Sequence, residues 1–147
     1  MATVELRFSA LPAHVRTARL VAAAVARRSG VDEAALDEVR LAVGEACSRA
    51  VHLHRRYCPD RPITVTLVDD PEVFRVAVAD EAPDESDGGG DSSDMVELAE
   101  TGDVDADAVP PSVGLAVITG LVDDVTVERA NGSHAGLVVR MAWATSA

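Results

Sequence analysis

The residues able to do chemistry are few, and their spacing limits what they can do. Glu45 and Arg49 stand at i and i+4 with the acid N-terminal, the favourable order for an ion pair on a helix face, worth roughly 0.2–0.5 kcal/mol when exposed. Asp80 closes the apolar run Val76-Ala77-Val78-Ala79, so it reads as a strand-end carboxylate able to start a turn or receive a donor. His52 and His54 are two apart and point to different faces of a helix, so they cannot share a metal as an i, i+4 pair would. Cys47 and Cys58 have no CxxC spacing and read as reduced and structural. Ser133 and His134 are adjacent, which does not give triad geometry, and no Gly-x-Ser-x-Gly elbow occurs. The triple glycine Gly88-Gly89-Gly90 is not followed by Lys-Ser or Lys-Thr, so it reads as a hinge and not a phosphate loop.

All 13 basic residues are arginine. Mechanisms that need an amine, such as a Schiff base or a Walker lysine, are therefore excluded. Of the 25 acids, 12 fall between Asp80 and Asp107, where no base occurs, leaving 13 acids against 13 Arg elsewhere. The net charge of -12 thus belongs to one segment, which would repel nucleic acid and anionic lipid and suits a basic partner. No run of 18 apolar residues and no secretory leader is present, so the expectation is a cytoplasmic protein with neither a nucleic-acid nor a membrane partner.

The 147 residues suit one domain, 1–147, and the 25 Ala and 23 Val against 3% aromatics predict a finely packed aliphatic core. Thr3 to Phe8 alternates as a strand. Pro12 suits a first helical turn, apolar residues recur at helical spacing, and Gly30 suits the stop, which predicts a helix from Pro12 to Ser29. Asp32 can cap a second helix that runs to about Tyr57 before Pro59 and Pro62. Ile63 to Val68 and Val73 to Ala79 read as a hairpin across Asp69-Asp70-Pro71-Glu72. The stretch 81–111 is rich in Asp, Glu, Ser, Gly and Pro and reads as a flexible acidic loop. Gly114 to Val122 reads as a short buried helix, and Asp123 to Arg129 and Leu137 to Ala142 as strands joined at Asn131-Gly132. The order β, α, α, β, β, loop, α, β, β predicts an α/β (α+β) two-layer sandwich with helices covering one face of a mixed sheet.

This order and three local patterns resemble the GHKL (Bergerat, histidine-kinase-like) ATPase fold, and within it the anti-sigma-factor serine kinases of the RsbW type. The matching stretches are Leu41-Ala42-Val43-Gly44-Glu45-Ala46-Cys47, Val78-Ala79-Asp80, Gly114-Leu115-Ala116-Val117-Ile118 with Leu121-Val122-Asp123, and the ending Gly136-Leu137-Val138-Val139-Arg140-Met141. Where the family has Glu-x-x-x-Asn-Ala, this chain has Glu45-Ala46-Cys47-Ser48-Arg49-Ala50. The resemblance therefore gives Glu45 the role of assisting the phosphoryl acceptor and puts Arg49 where an Asn helps hold magnesium. A guanidinium has five donors and no acceptor and cannot ligate a metal. Where the family has Asp-x-Gly-x-Gly, this chain has Asp80-Glu81-Ala82-Pro83-Asp84. The resemblance makes Asp80 the adenine contact, while both glycines are replaced. Ser112-Val113-Gly114-Leu115 keeps one glycine, Gly114, of the phosphate-facing turn. The acidic loop falls at the position of the ATP lid.

The resemblance implies a partner-switching regulator that binds a STAS-domain anti-anti-sigma factor, a sigma factor, or both, and relatives that act as homodimers add self-association. With the motifs altered, the expectation is nucleotide binding and kinase activity lost or impaired, with no cofactor required and no metal site. Glu45, Arg49, Asp84 and Glu85 would lie on the partner-binding rim, and Asp80, Gly114 and Arg49 would be the remnant of the nucleotide site. The alternative is an active serine kinase phosphorylating its antagonist, using ATP and magnesium, with Glu45 assisting the attacking hydroxyl and Asp80 as the adenine anchor. A third reading makes the acidic loop a mimic of nucleic acid toward a basic sigma surface.

Overall fold

A computed structural model describes residues 2–82, 118, 120, 122–129 and 136–145. Strand β1 is Ala2–Phe8, helix α1 Pro12–Ser29, α2 Glu33–Tyr57, β2 Ile63–Asp69, β3 Val73–Ala79, β4 Asp124–Arg129 and β5 Leu137–Ala144. Both helices begin and end close to where the sequence predicts, because their boundaries are written locally. Pro12 occupies the first turn of α1, where its missing N–H costs nothing. Gly30, at φ 97°, follows the last turn, and the N–H groups of Gly30 and Val31 close back on Arg27 and Ala26 carbonyls at 3.2 and 3.0 Å. Asp32 caps α2 by accepting the Ala34 N–H at 3.4 Å.

The sheet runs in the order β1-β2-β3-β5-β4. Among the described residues every pairing is antiparallel, which corrects the expectation of a mixed sheet within the expected two-layer architecture. The reason is geometric. A single crossover helix returns the chain to the start of the sheet and gives a parallel neighbour, whereas two antiparallel helices bring it back to the end it left. Phe8 therefore faces Ile63, and β2 runs back beside β1.

Alternation assigns the faces. Ile63, Val65 and Leu67 of β2, Phe74, Val76 and Val78 of β3, and Val139, Met141 and Trp143 of β5 point inward and are buried. Against them lie Ala18, Ala22 and Ala26 of α1 and Val39, Val43, Ala46, Cys47 and Ala50 of α2. The small side chains on both helices let their backbones come close to the sheet. The core is aliphatic, as composition predicts, apart from the pair Phe74 and Trp143, whose ring centres are 6.1 Å apart. Ile118 is helical and fully buried in the same core, and Gly120 is helical and exposed; Val122 is not helical, and the other residues of the predicted Gly114 to Val122 helix lie outside the described residues. The Asn131-Gly132 turn and nearly all of the acidic loop also lie outside them.

Candidate functional site

The site is built where the end of β3 meets α2 and the start of β5. Asp80, one residue beyond β3 and 3% exposed, has its Oδ2 2.8 Å from Nη1 of Arg49, whose side chain is 8% exposed. Its Oδ1 accepts the N–H of Ala82 at 3.1 Å and that of Leu137 at 3.3 Å. The Asp80 N–H in turn donates to the Leu137 carbonyl at 3.0 Å. Three of the roughly four acceptor positions of the carboxylate are thus taken. Arg49 is less completely served, since its Nε is buried without a partner among the described residues.

Gly136 makes this closeness possible. Its φ is 131°, and a Cβ placed on it would collide with the carbonyl oxygen of Asp80. Only a residue without a side chain lets β5 enter beside Asp80 and present the Leu137 amide.

A second knot adjoins the first. His54, fully buried on α2, accepts the Glu81 N–H through Nε2 at 2.9 Å, and its Nδ1 lies 2.9 Å from the Arg61 carbonyl. Since Nε2 must accept, Nδ1 carries the proton and donates to Arg61. The ring thereby ties the loop after α2 to the exit of β3. Arg61 reaches across the same gap to Glu81 at 3.4 Å on the surface. Cys58 sits nearby, half-buried, its thiol pushed above the usual range first by burial and then by the charge of Asp80.

The structure brings together Arg49 and Asp80 but does not pair Arg49 with Glu45. The expected i, i+4 ion pair is corrected: Arg49 turns inward to the buried carboxylate, where a charge-assisted bond in a dry site outweighs a solvated pair. Glu45 is half-buried and makes no hydrogen bond or ion pair among the described residues. Gly114, Asp84 and Glu85 lie outside the described residues. Sequence reasoning missed the parts played by His54, Arg61 and Leu137. Gly136 was legible only as the glycine that opens the last strand. Among the described residues no group of three or more His, Cys, Asp or Glu is placed to hold a metal ion, and no helix is long and apolar enough to cross a membrane.

An antiparallel sheet with two helices on one face, an acid on the second helix and a carboxylate just past the middle strand define a two-layer α+β domain of ATPase type. The family model of the histidine kinase-like ATPase domain matches residues 8–143, and the chain belongs to that family. No curated protein matches the sequence.

Proposed function

We propose that this single-domain chain is a partner-switching regulator of anti-sigma type that acts by binding proteins, with nucleotide binding and phosphoryl transfer lost or impaired. The observation that carries this reading is the buried pair of Arg49 and Asp80. A magnesium-bound adenine nucleotide does not fit these residues. Arg49 supplies no lone pair to a metal, and the carboxylate that would receive the adenine amino group is 3% exposed and bonded to three protein donors. The twelve acids between Asp80 and Asp107 add repulsion toward a polyphosphate. Binding a STAS-domain antagonist or a sigma factor would then use the outer surface of α1 and α2 and the rim at Glu45, together with the acids Asp84 and Glu85 that follow Ala82 in sequence. A homodimer is compatible with the same reading.

One observation favours the second reading, an active serine kinase. Glu45 is not neutralised by Arg49 and remains half-buried without a partner among the described residues, which is the state a residue assisting an attacking hydroxyl needs. Two measurements separate the readings. Co-purification of the tagged chain should yield a STAS-domain protein or a sigma factor as a stoichiometric partner. Labelled phosphate from ATP should not pass to that STAS-domain partner; transfer that disappears in Glu45→Gln would establish the kinase and overturn the proposal.

A further inference from the structure

We infer that Arg49 is an internal ligand: its guanidinium takes the place at Asp80 that an adenine amino group would take, so that a latent adenine site is held shut by the chain itself. This rests on the reading that the site descends from a nucleotide pocket, and it adds that a single side chain keeps the described part of that pocket closed.

The geometry supports it in three ways. First, the donor chemistry matches. Nη1 presents an N–H to Oδ2 at 2.8 Å, as an exocyclic amine would, but carries a positive charge, and charge-assisted bonds are about twice as strong as neutral ones. Second, the carboxylate cannot turn away from it. Oδ1 is fixed by the amides of Ala82 and Leu137, and Gly136 leaves no gap between β5 and the Asp80 backbone. Third, Arg49 is attached to α2 and so competes as an intramolecular ligand. A diffusing adenine would have to strand a buried guanidinium, a penalty that weakens binding by roughly 100- to 1000-fold. Among the described residues the Nε of Arg49 has no partner, which fits a side chain held there by its contact with Asp80.

The consequence is regulatory. A relative with an open site can exist with or without nucleotide, whereas this chain holds one state, and its partner affinity should not change on adding ATP or ADP.

The test uses the full chain and two substitutions. Arg49→Asn removes the guanidinium and supplies an amide at the position, and Arg49→Met removes the charge while keeping most of the side-chain volume, which protects folding. Melting temperature and equilibrium dialysis are measured with ADP, ATP and ATP with magnesium at millimolar concentration. The wild type should show no shift. The folded variants should melt lower than wild type without nucleotide and should gain roughly 5–10 °C with it. Asp80→Asn added to either variant should abolish the gain. Either folded variant failing to bind nucleotide while the wild type is also silent would overturn the internal-ligand inference and leave the non-catalytic reading standing. Nucleotide binding by the wild type would overturn both. If neither variant folds, dialysis of the wild type against ADP in rising urea below its unfolding transition decides: binding that emerges as the site loosens supports the latent site, and none opposes it.

Discussion

Arg49 and Asp80 lie 31 residues apart in sequence and 2.8 Å apart in space, and neither side chain is appreciably exposed. Such a pair contributes little net stability, because its attraction is set against the desolvation of both charges. Its loss in halves is another matter. Asp80→Asn should cost about 3–5 kcal/mol by leaving Arg49 buried and uncompensated, and Arg49→Met a comparable amount. The double variant should cost clearly less than their sum. Urea unfolding of all four proteins checks this, and additive losses would show that the two groups do not act as a pair.

The histidine knot predicts a graded series. His54→Phe fills the space but leaves the Glu81 amide and the Arg61 carbonyl without partners, at about 1–3 kcal/mol for each orphaned group. His54→Asn can place an amide N–H where Nδ1 stood and so serve Arg61 alone. It should therefore lose less than Phe in the same unfolding measurement. Equal losses for Phe and Asn would mean that the bond to Arg61 contributes nothing.

The two helices and most strands were legible in the sequence because their signals are local. Pro12, Gly30 and Asp32 act within one turn of chain, and the alternation in Val73 to Ala79 needs only its own residues. The two short turns made β2 with β3 and β4 with β5 legible as antiparallel neighbours, but which strands lie beside β1 and across from β5 is a long-range choice that alternation does not encode, so the wholly antiparallel order was not legible. The partner of Arg49 was hidden for a related reason. Along the chain Glu45 is the obvious acid, while Asp80 becomes available only once β3 is laid under α2 and Gly136 admits β5. His54 carried no pattern, because both of its partners are backbone groups, which every residue has.

Burial of Cys47 predicts a pH dependence. Its thiol is pushed up from 9.0 to about 12 by loss of solvent. Between these values the unfolded chain releases a proton that the folded chain keeps, so the unfolded state binds fewer protons and stability falls as pH rises. The slope from this group is about 1.4 kcal/mol per pH unit above pH ~9. The difference in unfolding free energy between wild type and Cys47→Ala should shrink over that range. At pH 8 a thiol reagent should titrate Cys58 in the folded protein and reach Cys47 only after unfolding, and a Cys47 that reacts as fast as Cys58 would contradict its burial.

Two glycines, each packed against a residue that a new methyl would meet, should respond oppositely to alanine. At Gly136 the methyl would run into the Asp80 backbone, and the φ of 131° is one that alanine rarely adopts. Neither obstacle can move without releasing the Leu137 amide from Asp80, so Gly136→Ala should cost at least about 3 kcal/mol. At Gly44, inside α2, the methyl would meet the Cδ of Arg19 at 2.9 Å. Arg19 is exposed on α1, and its side chain can swing into solvent. Replacing a mid-helix glycine by alanine returns about 0.5–1 kcal/mol of backbone entropy, so Gly44→Ala should be neutral or stabilising. Thermal unfolding of the two variants distinguishes them, and a Gly136→Ala protein as stable as wild type would show that β5 does not need to pass so close to Asp80.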